Sequence, residues 1–95
     1  MTKEFLPLGT VVTLKDGVKR LMITGRLQKE SITKQVFDYC AVLWPEGMLD
    51  SSRMYLFNEE DVDKLYHIGL QDHEEFQFRY VLDEQRIQLQ SPLKN

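Results

Sequence analysis

The spacing of apolar and polar residues divides the chain in two. Up to about residue 70 it reads as short strands separated by turn residues, and from residue 72 as a helix. The longest β-type run is V-F-D-Y-C-A-V-L-W-P-E-G at 36–47. Phe37, Tyr39, Ala41 and Leu43 would point to one side of a strand, and Val36, Asp38, Cys40, Val42 and Trp44 to the other. Both sides are mostly apolar, which predicts a central strand covered on two faces. Pro45 cannot continue a paired strand and Gly47 supplies a turn, so the run stops there.

Earlier strands are predicted at 10–14 and 21–27, joined across Asp16-Gly17, a strong hairpin signal. Gly25 lies inside the second and predicts a bulge or bend. A polar loop at 29–35 leads into the central strand, giving an antiparallel meander. Residues 54–57 form a fourth short strand. Asn58 followed by Glu59, Glu60 and Asp61 reads as the capped, acidic start of a short helix near 58–64. Residues 65–70 return to β character, ending at Gly69.

The last segment carries two patterns. Phe76, Phe78, Tyr80 and Leu82 alternate as in a strand, while Phe76, Tyr80 and Ile87 share one helical face, with Val81 and Leu82 beside it. The long stretch without Gly or Pro, rich in Glu, Gln, Arg and Leu, favours a helix at 72–90 capped by Asp72. Ser91-Pro92 ends it. The expected fold is α+β: a bent antiparallel sheet of about five strands, a roll or small barrel, with the helix packed on it. Its edges are expected at 10–14 and 54–57.

The 95 residues fit a single domain, 1–95, with 1–5 and 91–95 frayed. A 42% hydrophobic share with one Trp, four Tyr and five Phe supports a real core. The net charge of −3 counts against nucleic acid as a partner, for which a basic patch is the usual footprint. One cysteine excludes an internal disulfide and fits a reducing compartment. The N-terminus has no apolar secretory core, and no segment approaches the roughly 20 apolar residues of a membrane span. A cytoplasmic protein without a membrane partner is expected.

Candidate chemistry is sparse. His67 and His73, six residues apart across a glycine, do not match a metal pair, and Cys40 lies mid-strand among apolar neighbours with no activating base. The acidic groups at 59–61 and 72–75 lack the alternation of a calcium loop and suit helix starts. The five glycines are scattered, so no phosphate loop is present. The expectation is a protein without enzymatic activity, cofactor or metal. Attention falls instead on the loop after Trp44, where Met48 and Leu49 are apolar residues in polar surroundings. Such residues serve as partner contacts, or else cover one end of the sheet. The candidate partner-binding residues are Trp44, Glu46, Met48, Leu49, Tyr55 and Phe57.

Four stretches together carry a resemblance: L-P-L-G-T-V-V-T-L-K-D-G at 6–17, K-R-L-M-I-T-G-R-L-Q at 19–28, F-D-Y-C-A-V-L-W-P-E-G at 37–47 and Y-L-F-N-E-E-D-V at 55–62. They resemble a family of small bacterial proteins encoded beside LXG polymorphic toxins and type VIIb (Esx/WXG100) secretion systems of Gram-positive bacteria. The resemblance spans about residues 6–72. Phe37 and the pair Leu43-Trp44 depart from the family's usual residues. It implies an accessory factor or chaperone that binds a cognate LXG toxin, through the toxin's C-terminal domain, and supports its export, with WXG100-like helical targeting proteins as further partners. It carries over no catalytic residues. The alternatives are an immunity-type protein that neutralises the toxin, and a small-barrel nucleic-acid binder.

Overall fold

The structure is a computed structural model that describes residues 4–90. It has the expected α+β character. Five strands, β1 (Val11–Leu14), β2 (Leu21–Lys29), β3 (Val36–Leu43), β4 (Tyr55–Phe57) and β5 (Val62–His67), form one antiparallel sheet in the order β4-β3-β2-β1-β5. A single helix, α1 (His73–Gln90), follows.

The sheet is open but must be strongly curled. Its two edges, β4 and β5, are joined only by residues 58–61. Laid flat, five strands would hold those edges roughly 19 Å apart, whereas a link that includes a 3-10 turn reaches only about 13 Å. The turn, Glu59–Asp61, crosses the open end, and the Asp61 carbonyl accepts a hydrogen bond from the Lys15 N–H at 2.9 Å. The bulge expected at Gly25 is present: the β2–β3 register slips between Ile23 and Gly25. A Cβ on Gly25 would come within 2.8 Å of the Cys40 sulfur.

Two expectations are corrected here. The short helix near 58–64 is one 3-10 turn, and Val62 already begins β5. Asp61 closes the turn by accepting from the Asn58 N–H, while the Asn58 side chain is drawn away to accept from the Asp38 N–H of β3 at 3.0 Å. Val62, β-branched, is extended at φ −76°, ψ 131°. Hence the 10–14 strand is no edge either. β5 lies outside it, with register shifts between Val11 and Val12 and between Thr13 and Leu14, the irregularity that edges use to resist further pairing. The 54–57 strand is an edge, as expected.

The core gathers Val12, Leu21, Ile23, Tyr39, Ala41 and Phe57 from the concave face, with Phe5 and Leu82 closing it. β3 is buried on both sides, Tyr39 and Ala41 on one, Cys40 and Val42 on the other. Tyr39 is the centre. Its ring meets Phe5 edge-on at 6.0 Å and lies 5.5 Å from Phe57. Its hydroxyl accepts from the Leu6 N–H at 2.8 Å and donates to Glu59 at 2.5 Å, so the polar tip of a buried ring is satisfied. Burial, reinforced by Glu59, pushes the phenol pKa well up. Phe5, expected in a frayed lead-in, is therefore a core residue. Residues 1–3 and 91–95 lie outside the described residues.

Candidate partner-binding surface

The six candidate residues do not form one patch. Phe57 leaves the set: at 2% exposure, stacked against Tyr39, it is core and has no surface to offer. In β4, Phe57 lies opposite Tyr39 and so faces inward, while Tyr55, opposite Ala41 at the start of the strand, stays exposed. Met48 and Leu49 are exposed on the loop after β3. The turn before them is closed by the Gly47 N–H donating to the Leu43 carbonyl at 2.7 Å, with Gly47 at a positive φ of 82°.

Glu46 is held by Lys19 at 2.7 Å across that turn, and this hydrogen bond keeps its carboxyl below the usual range. Both side chains remain largely in solvent, so the pair adds little stability. The loop beyond is shaped by Asp50, which accepts from the Ser52 N–H at 2.8 Å and pairs with Arg53 at 3.1 Å.

Trp44 joins a different neighbourhood. With Val11, Arg20, Met22, Tyr66 and His67 it lines a groove of about 450 Å³. The Arg20 guanidinium stacks over the Tyr66 ring at 4.2 Å, and the Arg20 carbonyl accepts from the Trp44 N–H at 2.9 Å. The groove thus has two aromatic walls and a cation. Tyr66 and Arg20 were missed because a loop arginine and an edge-strand tyrosine become neighbours only through the β1–β5 pairing.

The largest surprise is how α1 sits. Its inward face carries Glu75, Arg79, Leu82 and Arg86, spaced by one or two helical turns. Of these only Leu82 is apolar. Arg26 rises from β2 to grip Glu75 with both terminal nitrogens, at 2.6 and 2.9 Å, and Arg79 Nε reaches the same carboxylate at 2.9 Å. Arg79 also donates to Gln71 at 2.7 Å and meets Glu4 at 3.3 Å. The Arg86 guanidinium lies over the Phe5 ring at 3.8 Å. Hydrogen bonds from Arg26, then from Arg79, hold the Glu75 carboxyl below its ordinary value despite partial burial. Phe76, Tyr80 and Ile87, the shared helical face noted in the sequence, are left exposed beside this seam.

Among the described residues no cluster of His, Cys, Asp or Glu could hold a metal ion, and no helix is long and apolar enough to cross a membrane. His67 is on β5 and His73 opens α1; Cys40 is buried against Thr24.

No curated protein and no solved structure matches the chain. A family model does match, over residues 5–78, a stretch that takes in all five strands and ends in the second turn of α1. The chain belongs to that family, described as a domain of unknown function, DUF4176.

Proposed function

We propose that this protein is a non-enzymatic, protein-binding accessory factor. In the fuller reading, which rests on the resemblance of its four sequence blocks, it is a cytoplasmic chaperone that binds the toxin domain of a cognate LXG toxin and supports its export by a type VIIb secretion system. WXG100-like helical proteins would be further partners. The observation that carries the reading is the amount of large apolar surface left uncovered on so small a domain. Trp44, Met48, Leu49 and Tyr66 around the sheet, and Phe76 and Tyr80 on α1, are all exposed. Single exposed apolar residues are ordinary, but Trp44 and Tyr66 share one groove and Phe76 and Tyr80 one depression, and grouped apolar surface of this kind marks interaction sites.

The test is co-expression with the neighbouring LXG toxin, full-length and as separate N- and C-terminal pieces, followed by affinity capture. Retention of the C-terminal piece is expected. Capture of the N-terminal piece alone would make the protein a targeting factor, and capture of neither would remove the toxin from the proposal. A toxicity-rescue assay then separates roles: a chaperone leaves the released toxin active, whereas abolished toxicity would mean an immunity protein.

A further inference from the structure

We propose that the exposed side of α1 is a docking strip for an amphipathic helix whose polar flank is basic, supplied by a different protein. This deepens the protein-binding reading and rests on it. Phe76 is 46% exposed, Tyr80 74% and Ile87 63%. With Asp83 between Tyr80 and Ile87, their spacing is four, three, four, the heptad interval at which one helix presents a straight seam to another. Phe76, Tyr80 and Asp83, with Glu4 and Arg79, also line a depression of about 280 Å³, a place for a side chain of the incoming helix.

Charge selects the occupant. Both arginines of α1 are turned under the helix, Arg79 onto Glu75 and Arg86 onto Phe5. Of the charged side chains that remain exposed along α1 and its cap, His73 aside, Asp72 and Glu84 flank the seam, while Glu74 lies across the helix beside Phe78. Asp83 is in the seam itself, and the exposed Glu4 stands at its rim. The strip is therefore an apolar seam with an acidic frame. A lysine- or arginine-flanked helix complements it, whereas a second copy of this chain would set acid against acid. The matched family stretch ends at residue 78, so Tyr80, Asp83, Glu84 and Ile87 all lie beyond it.

The experiment titrates the full chain with two designed heptad peptides that share a leucine seam, one flanked by lysine and one by glutamate. The lysine peptide should bind, more weakly as salt rises, with amide shifts at Phe76, Tyr80 and Ile87. The Tyr80→Ser/Ile87→Ser double variant and the Glu84→Lys variant should each lose about tenfold or more in affinity. Circular dichroism should show both variants folded, since the altered side chains are exposed. Equal affinity of the double variant, or equal binding of the glutamate peptide, overturns the proposal. So does sedimentation that finds the wild type dimeric and the double variant monomeric, which would make the strip a self-interface. Failure here is distinguishable from failure of the broader reading. If the peptide titration fails while wild type and double variant retain the toxin equally, this strip is wrong and protein binding stands; if neither retains the toxin, the toxin reading falls while the peptide titration still decides the strip.

Discussion

The sheet and the helix are held by opposite means. The sheet closes on an apolar centre in which Tyr39 packs between Phe5, met edge-on, and the tilted ring of Phe57, and its hydroxyl is partnered on both sides. α1 buries one leucine and otherwise docks through the Glu75 carboxylate, gripped by Arg26 of the sheet and steadied by Arg79 of its own helix, and through Arg86 laid over Phe5. Apolar packing is non-directional and holds no group that must stay ionised, but a clasp of charges is directional and depends on its ionisation. The clasp fixes the rotation of α1: only one helical orientation brings Glu75 over Arg26, and that orientation leaves the aromatic seam outside.

The difference can be broken from either side. The largest effect should come from Phe57→Ala, which removes a ring from the apolar centre and should cost about 3–5 kcal/mol, read as cooperative loss of sheet and helix in chemical denaturation. Glu75→Ala leaves Arg26 beneath the helix without its carboxylate, while Arg79 keeps Gln71 and Glu4, and should cost about 3 kcal/mol. There, hydrogen exchange should quicken across α1 while β2 and β3 stay protected, and equal quickening in both would mean that the helix is not a separate unit. Gly69→Ala strikes the joint between the two regions. Its Cβ would lie 1.8 Å from the Leu8 carbonyl oxygen, so the backbone must shift, at about 1–3 kcal/mol in a thermal melt.

Acid offers a gentler separation. The Arg26 hydrogen bonds hold the folded Glu75 carboxyl below the ordinary carboxylate range, so its stabilisation is complete above that range and is lost as pH falls through the lower folded value. α1 should loosen in that acid window before the sheet does, and Glu75→Gln should abolish the difference when helix signals are followed against pH. The smallest effect is expected from Met48→Ser/Leu49→Ser. Both side chains are exposed, so stability should change by less than about 0.5 kcal/mol. A weakened toxin interaction would place that loop in the contact, and unchanged affinity would remove it.

Much of the sheet was legible because its rules are local. The alternation through 36–43 and the glycine bulge each act within a few residues. The tight Asp-Gly hairpin expected at 16–17, by contrast, gives way to a wide link: the last β1–β2 pair is Val12 with Leu21, Thr13 and Leu14 pair with β5 instead, and Asp16 but not Gly17 has a positive φ. β5 was misjudged because the acidic run after Asn58 imitates a helix start, and only pairing with β1 shows that Val62 turns extended. The orientation of α1 was out of reach for a related reason. Sequence periodicity assigns the apolar face of a helix to the core, and here a long-range charge partner on β2 overrides it. At the surface, Met48 and Leu49 could be picked out by composition, but Phe57 could not be excluded without knowing its strand partner.

Gly69 approaches Leu8 and Gly9 backbone to backbone, and its N–H donates to the buried Thr10 hydroxyl oxygen at 3.1 Å. Mechanically this is a clamp at the point where the helix hangs from the sheet. Tension applied along α1, once the Glu75 clasp and the Leu82 and Arg86 contacts had given way, would reach the clamp and then pull on His67, the terminal residue of an edge strand. From there the β1–β5 ladder would open like a zipper, one bond after another, instead of shearing all at once. A domain tethered in this way would yield to a modest pull on its C-terminal end and withstand a much larger one on its central strands.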